Sequence, residues 1–327
     1  MKILVTGCAG FIGYHLTKKL LNKNIFVVGV DNLNNYYDVN LKKKRLDKLN
    51  IIKKKKFHFY KTDICNKKQI EIIFKKYKFQ IVINLAAQAG VRYSIINPAA
   101  YTKSNLLGFF NILENCRKFK VQHFLYASTS SVYGSSKKKF FNERDYTEKP
   151  IQFYAATKKS NELMACSYSY LYKLHTIGLR FFTVYGPWGR PDMALFKFTK
   201  NILSKKRINI FNYGKHERDF TYIDDVVDSI FLLLKKFKIN KNSNFYEIYN
   251  IGKGQSNRLD DYILEIENNL KLRAKKNYLS LQKGDVIRTS ADTSKLKKVI
   301  KKNKFVSIKI GVKKFIDWYL DYYKIKI

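Results

Sequence analysis

Lys2-Ile3-Leu4-Val5-Thr6-Gly7-Cys8-Ala9-Gly10-Phe11-Ile12-Gly13 is the stretch on which the fold turns. A short apolar strand runs into glycines spaced G-x-x-G-x-x-G. A helical pattern follows (Leu16, Leu20, Leu21), then a second apolar run, Ile25-Phe26-Val27-Val28-Gly29-Val30, which ends on Asp31. Strand, glycine turn, helix, strand and terminal acid together form a dinucleotide-binding unit. In such a unit Gly7 makes the tight turn, Gly10 lets the backbone approach a pyrophosphate, and Gly13 lets the helix pack on the strand. The helix opening at Phe11 and Ile12 offers N–H groups and the positive end of its dipole to phosphates. Asp31 can accept hydrogen bonds from an adenosine ribose and would repel a 2′-phosphate, so NAD is expected over NADP.

Outward from this unit the alternation continues. A polar aromatic loop, Asn32-Leu33-Asn34-Asn35-Tyr36-Tyr37-Asp38, precedes a lysine-rich helix or loop to about residue 56. Residues 57–64 alternate like a strand and carry Asp63, placed to meet an adenine amino group. Ile70, Ile73 and Phe74 mark a helix. Residues 81–85 form a strand running into Ala86-Ala87-Gln88, where small side chains let a cofactor lie on the backbone. A helix over 101–119, a strand over 123–128, a helix over 153–172 and a strand over 175–181 complete the series. Strands alternating with helices predict an α/β fold with a doubly wound parallel sheet. Its ligands bind beyond the carboxyl ends of the strands, where Gly7, Asp31, Asp63, Ala86-Ala87 and Thr129 all fall.

Past residue 182 the pattern changes. A Gly/Pro/Trp loop over 183–192, a helix over 194–205 and a short strand over 208–211 are expected. Residues 218–221 lead into a helix over 223–237, and 245–251 form a strand that returns to the main sheet. The C-terminal helix is marked by Val312, Phe315, Ile316 and Tyr319. Residues 1–182 and 219–254 then make a dinucleotide-binding Rossmann domain; 183–218 and 255–327 make a smaller substrate-binding cap.

Bulk properties exclude several classes. A hydrophobic fraction of 46% in 327 residues is ordinary for a folded globular chain. No apolar run reaches the roughly 18–20 residues of a membrane span. The N-terminal apolar run enters the glycine turn at once, unlike a signal peptide. Cys8, Cys65, Cys116 and Cys166 are widely spaced, so they read as buried thiols of a reducing compartment, the cytoplasm, with no zinc or disulfide framework. The net charge of +39 has two readings: a surface for polyanions, or drift toward residues with A/T-rich codons. The lysine runs (42–44, 53–56, 137–139, 275–276, 297–298, 301–302) are scattered and form no stripe. That distribution favours drift, and no nucleic acid or membrane partner is expected. Asp224-Asp225 reads as helix capping, and no metal is expected.

The chemistry lies in Tyr154-Ala155-Ala156-Thr157-Lys158, which sets a phenol and an ammonium one above the other on a helix. A free phenol, with a pKa near 10, is a poor base at neutral pH. A neighbouring Lys⁺ and a positively charged nicotinamide favour its phenolate. Thr129, at the adjacent strand end, can donate to the same substrate oxygen. This is apparatus for removing a hydroxyl proton while the carbon gives up hydride.

These residues resemble the extended short-chain dehydrogenase/reductase family, over nearly the whole chain. Within it the likeness is strongest to UDP-glucuronate 4-epimerases. It rests on residues 32–41, on Gln88-Ala89-Gly90-Val91-Arg92-Tyr93-Ser94, and above all on residues 179–194, which include Thr183-Val184-Tyr185-Gly186-Pro187-Trp188-Gly189-Arg190-Pro191-Asp192. The resemblance implies a UDP-sugar oxidised at C4 to a ketone, turned over in the pocket and reduced on the other face, with NAD retained. It implies catalytic Thr129, Tyr154 and Lys158. Cofactor contacts would come from Gly7, Gly10, Phe11, Ile12, Gly13, Asp31, Asn32, Asp63, Ile64, Leu85, Ala86, Ala87, Gln88 and Asn105, together with Tyr154 and Lys158. Arg92, Thr129, Ser130, Ser131, Thr183 and Arg190 would contact the sugar side, Phe196 and Phe198 the uracil, and Arg218, Asp285 and Arg288 the diphosphate and ribose. Related 4,6-dehydratases carry Asp-Glu, and uronate decarboxylases a Glu, where this chain has Ser130-Ser131. Hydroxyls there suit a C6 carboxylate, and Thr129, Ser130, Ser131 and Arg190 would hold it against loss of CO₂. The chain departs from the family at Lys283, where proline is usual. The resemblance also implies a homodimer through the helices at 101–119 and 153–172, and a role in surface polysaccharide; a UDP-hexose 4-epimerase is the alternative, and a basic NAD-bound binding protein is another.

Overall fold

The strand-forming runs at 3–5, 26–30 and 81–83 are apolar on both sides, which calls for a sheet covered on two faces. A computed structural model describes residues 1–52, 55–237 and 245–326. Lys53 and Lys54 of one lysine run, residues 238–244 of the first expected domain and Ile327 of the second lie outside the described residues. The first half contains β1 (Lys2–Thr6), α1 (Phe11–Asn22), β2 (Phe26–Asp31), α2 (Val39–Ile52), β3 (Phe57–Lys61), α3 (Lys67–Tyr77) and β4 (Ile81–Asn84). It continues with α4 (Tyr93–Ile96), α5 (Pro98–Tyr101), α6 (Gly108–Lys118), β5 (His123–Thr129), α7 (Phe153–Tyr172) and β6 (His175–Phe181). The second half adds β7 (Thr183–Tyr185), α8 (Ala194–Leu203), β8 (Ile208–Phe211), β9 (Glu217–Arg218), β10 (Phe220–Tyr222) and α9 (Ile223–Phe237). The remaining elements are β11 (Tyr246–Ile251), β12 (Asn257–Arg258), α10 (Leu259–Leu270), β13 (Lys276–Leu279), α11 (Ser294–Ile300) and α12 (Ile308–Tyr323).

Seven strands form one sheet in the order β11-β6-β5-β4-β1-β2-β3, with every neighbouring pair parallel. The order reverses between β1 and β4, which opens a crevice at their carboxyl ends. Ile3 and Val5 of β1 pack into one buried layer with α1, while Leu4 packs into the opposite layer with Val28, Ile73 and Phe109. The second layer is thus built by α3 and α6. The short strands β8 and β13 pair parallel beside α8 and α10, and β9 pairs antiparallel with β12.

Four expectations change in detail. The helix at 101–119 is interrupted: α5 gives way to a π-helical segment, Thr102–Leu107, before α6 begins. The loop at 183–192 starts as a strand, β7, because its backbone pairs with β10. Of the four cysteines, all free, Cys8 and Cys116 are buried, Cys65 is half-buried and Cys166 is exposed on the outer side of α7. Asp224 and Asp225 lie within the first turn of α9 and do not cap it. Asp225 instead pairs with Lys302 at 2.8 Å and accepts the Val306 N–H at 2.8 Å. Among the described residues there is no group of three or more His, Cys, Asp or Glu that could hold a metal, and no helix long and apolar enough to cross a membrane.

Candidate active site

The glycine turn closes because Gly7, at φ +69°, donates its N–H to the Val30 carbonyl at 2.7 Å. A β-carbon on Gly7 would lie 2.8 Å from the Ala86 nitrogen, and one on Gly13 would lie 2.0 Å from the Gly7 carbonyl oxygen. The turn, α1 and the end of β4 therefore meet with no room for side chains, and their backbone forms the floor of a cleft. That cleft encloses about 1380 Å³, counting the space open to solvent at its mouth. Gly7, Gly10, Phe11, Ile12, Gly13, Asp31, Asn32, Asp63, Ile64, Leu85, Ala86, Ala87 and Gln88 all line it, as do Thr129, Tyr154, Lys158 and Arg190. A dinucleotide fits such a floor, since side-chain-free backbone and the N-terminus of α1 both face the space.

Asp31 is buried beside this floor, its two oxygens accepting the Leu33 and Ala9 N–H groups at 2.9 and 3.1 Å. Burial pushes its carboxyl pKa up against those bonds. Asp63 accepts from Cys65 N–H at 2.8 Å and Asn32 Nδ2 at 3.0 Å. Burial works to raise its pKa, but these bonds outweigh it and hold the carboxyl below the usual range.

Tyr154 and Lys158 stand on the first turns of α7. Arg180 on β6 holds that helix through a buried pair with Glu162, Nε–Oε1 and Nη2–Oε2 both at 2.8 Å. Ser128 on β5 donates to the same carboxylate at 2.6 Å. Lys158 is buried with its Nζ donating to the Ala127 carbonyl at 2.9 Å, and burial pushes its pKa down to about 7. The Tyr154 phenol is pushed up by burial, with the Arg190 charge and the Thr129 hydroxyl pulling the other way. Burial is the largest influence on both groups. Thr129 starts a 3-10 turn, Ser130–Tyr133, in which its Oγ1 accepts the Ser131 N–H at 3.2 Å. Ser130 and Ser131 lie just past it, half-buried and outside the cleft wall.

Asn105 does not reach the cleft. The π-helical segment turns its carboxamide onto the loop after β4, where it exchanges bonds with Gln88 N–H (2.8 Å) and Gln88 O (3.0 Å) and donates to Thr157 Oγ1 (3.0 Å). Arg92, on the same loop, reaches the cap instead. It meets Asp285 at 3.3 Å and lies over the Phe211 ring. Arg218 donates to the Ile287 carbonyl at 2.9 Å, and Arg288 pairs with Glu217 at 3.1 Å. The structure therefore gathers Arg92, Arg218, Asp285 and Arg288 into one cap cluster. Thr183 and Phe196 line a second, smaller pocket beyond Arg190. Phe196 packs against Phe315, Trp318 and Tyr319, and Phe198 is buried in the core. Neither ring is on the wall of the main cleft.

Some site residues went unread in the sequence. Lys42 lines the cleft, with its Nζ on the Asn34 carbonyl at 2.6 Å, and burial pushes its pKa down to about 8. Fully buried Arg45 donates to the Ala9 carbonyl (2.8 Å), Tyr37 OH (2.8 Å) and the Trp188 carbonyl (2.6 Å), tying the glycine turn to the loop that carries Arg190. The signal was there: Leu41, Leu46 and Leu49 define a helical stripe that Lys42 and Arg45 share.

Residues 3–252 match the model of the NAD dependent epimerase/dehydratase family. The chain is 51% identical to Protein CapI of Staphylococcus aureus, over 99% of this chain and 100% of that one. It is 43% identical to a UDP-glucuronate 4-epimerase of Thermodesulfobacterium geofontis, over 96% of this chain and 95% of its relative. Its fold superposes on UDP-glucuronic acid 4-epimerase from Bacillus cereus, solved with UDP-glucuronic acid and NAD, at TM-score 0.91 and 34% identity, over 99% and 100% of the two chains.

Proposed function

The chain belongs to the NAD dependent epimerase/dehydratase family, and we propose that it is a nucleotide-sugar 4-epimerase interconverting UDP-glucuronate and UDP-galacturonate. NAD, bound on the glycine floor, takes the C4 hydride and returns it. Tyr154, as phenolate, accepts the proton of the C4 hydroxyl, so C4 loses two electrons and becomes a ketone. On return the phenol gives the proton back. Thr129 holds the reacting oxygen by its hydroxyl, and Lys158, anchored on Ala127, supplies positive charge beside the phenol once it is protonated. The cap cluster of Arg92, Arg218 and Arg288 is suited to the UDP diphosphate, since guanidinium forks match its oxygens.

The observation that carries the choice of uronate is the Thr129-Ser130-Ser131 turn beside Tyr154. It puts the Thr129 hydroxyl on the cleft wall, with the half-buried Ser130 and Ser131 just past it, where a carboxylate of the chain would repel a C6 carboxylate. The same groups would fix the carboxylate against decarboxylation of the 4-keto intermediate. Exposed Leu107, Phe110, Leu163 and Tyr170 support a homodimer through α6 and α7. The product is of the class used in surface polysaccharide, and a cytoplasmic setting accords with four free thiols.

Proton NMR of UDP-glucuronate incubated with the purified protein, without added NAD, tests the reading. UDP-galacturonate is the expected product. Release of a UDP-pentose would overturn the role given to the serines, and turnover of UDP-glucose alone would move the assignment to a UDP-hexose 4-epimerase. That second reading is favoured by one contact: the guanidinium nearest the reacting groups is already bound to Asp192.

A further inference from the structure

His216 immediately precedes β9 and is buried, only 6% exposed. It and Arg218 flank the strand residue Glu217, so their side chains project to the same side, toward the cap cluster. The charges that act on the ring agree with that placement. They are Arg218, then Asp285 from the loop after β13, and Arg92 from the loop after β4. The ring hydrogen-bonds to the Phe211 carbonyl, whereas Nε2 is shut away from water and has no hydrogen-bond partner. Nδ1 therefore holds the proton, as donor to that carbonyl, and Nε2 presents a bare lone pair. Helix α10 packs on the same turn, with its Leu259 N–H on the His216 carbonyl at 3.0 Å. The other charged side chains here have partners: Glu217 pairs with Arg288 at 3.1 Å, and Asp260 of α10 with Arg258 at 3.4 Å.

A buried nitrogen left without a partner costs stability, and calls for a group that completes it. The charge of the cluster says which. Arg92, Arg218 and Arg288 against Asp285 and Glu217 leave one positive charge in excess. Each phosphate of a sugar nucleotide is anionic, so the loaded cluster is short of a cation. We propose that His216 is a further binding residue for the diphosphate: it takes a proton from solvent as the nucleotide enters and donates Nε2–H to a phosphate oxygen. This deepens the 4-epimerase reading and rests on it. The Arg92–Asp285 pair, half-exposed on the arginine side, is the part of the cluster that gives way to admit the anion. In the empty site burial, then the Arg218 charge, holds the ring pKa below its ordinary 6.5 against the pull of Asp285, so His216 is neutral at pH 7. An adjacent anion favours the charged ring and raises that pKa. The proton is bound in the loaded site and absent from the empty one, so affinity rises as pH falls between the two values.

The test titrates holoenzyme, as purified, with UDP-glucose, whose own charge is constant between about pH 6 and 8.5. Calorimetry at pH 7 in Pipes and in Tris, buffers of different protonation enthalpy, counts the protons taken up on binding. Wild type should take up roughly half a proton more per site than His216→Gln. From pH 8.5 to pH 6 its affinity should rise about fivefold more than that of the variant. Comparison with the variant removes the contributions of Lys42 and Lys158, which both proteins share. Glutamine keeps a polar side chain in place but does not titrate, so a merely structural role would lower affinity equally at every pH. Equal proton counts and parallel pH profiles would overturn the proposal. If His216→Gln does not fold, nitrogen-15 NMR of the wild-type histidine rings decides. One of the five should turn from neutral ring to imidazolium at pH 7 when UDP-glucose is added, and no change in any of them refutes the proposal. Binding of UDP-glucose without a linked proton sinks only the role of His216. Wild type that binds neither UDP-glucose nor UDP-glucuronate would sink the 4-epimerase reading, and this proposal with it.

Discussion

The glycine turn and the arginine cluster of the cap are built from opposite materials. The turn is backbone against backbone, with Gly13 so close to Gly7 that no β-carbon fits. Its nearby charges, Asp31, Lys42 and Arg45, are buried and bonded mainly to backbone. The cap cluster pairs side chain with side chain in Arg92–Asp285 and Arg288–Glu217, with Arg218 on backbone carbonyls, and the Arg288–Glu217 pair is 40% exposed on both partners. Half-exposed pairs rearrange at small cost, since water competes for each member. Close-packed backbone cannot rearrange without unfolding its neighbours. The contrast suits a site that keeps one ligand and exchanges another.

The largest test of that contrast is Gly13→Ala. Its methyl would need to displace the Gly7 carbonyl, at a cost of roughly 3 kcal/mol. Urea unfolding should show that loss, and the protein should purify without cofactor absorbance; a stable, cofactor-loaded variant would break the comparison. Next in size is Lys158→Met, which removes a buried amine from α7. Lys158 titrates at about 7 in the folded chain against its ordinary 10.5. Between those values the unfolded chain binds the extra proton, so wild-type stability rises with pH across that window. Cofactor-stripped Lys158→Met should therefore melt several degrees higher than wild type near pH 7, with the advantage shrinking toward pH 10, while activity falls about 10²–10⁴-fold. Melting curves at pH 7, 8.5 and 10 check the slope. Smallest is Glu217→Gln in the cap. Stability should change by less than about 0.5 kcal/mol, and UDP should bind about two- to fivefold tighter at low salt as Arg288 loses its partner, an effect that fades as ionic strength screens it. An unfolded variant would show that the cap pair is structural after all.

The same contrast explains what could be read from the sequence. Where function rests on backbone, residue type is nearly forced: Gly7 and Gly13 have no substitute, and the alternation that places Asp31, Asp63 and Thr129 at strand ends is a period visible in the chain. Where function rests on side chains crossing between elements, the sequence names residues without saying whom they meet. Phe196 and Phe198 both read as ring contacts for a base, yet α8 buries Phe198 in the core and packs Phe196 on Phe315 and Tyr319 at the wall of the smaller pocket, since residues two apart on a helix face different ways. Asp192 stood in the most distinctive stretch of the chain without a role, since only folding showed that it answers Arg190. Arg45 was hidden in a lysine-rich run whose leucines, spaced along a helix, mark its buried side. Glu162 and Arg180, eighteen residues apart, gave no local sign that they meet.

The π-helical segment at Thr102–Leu107 makes chain length itself a functional quantity. Its wider turns take up more residues per revolution than the α-helical value of 3.6. Deleting one residue there would let the α-helical ladder run straight from Pro98 to Lys118, and local stability would not suffer. Everything before the deletion would nevertheless rotate by about 100° relative to α6. Asn105 would swing off Gln88 and Thr157, leaving the loop after β4 and helix α7 without the carboxamide that now joins them. Alignment between these two walls of the cleft is thus encoded as a count of residues, and a shorter, more regular helix would be the wrong one.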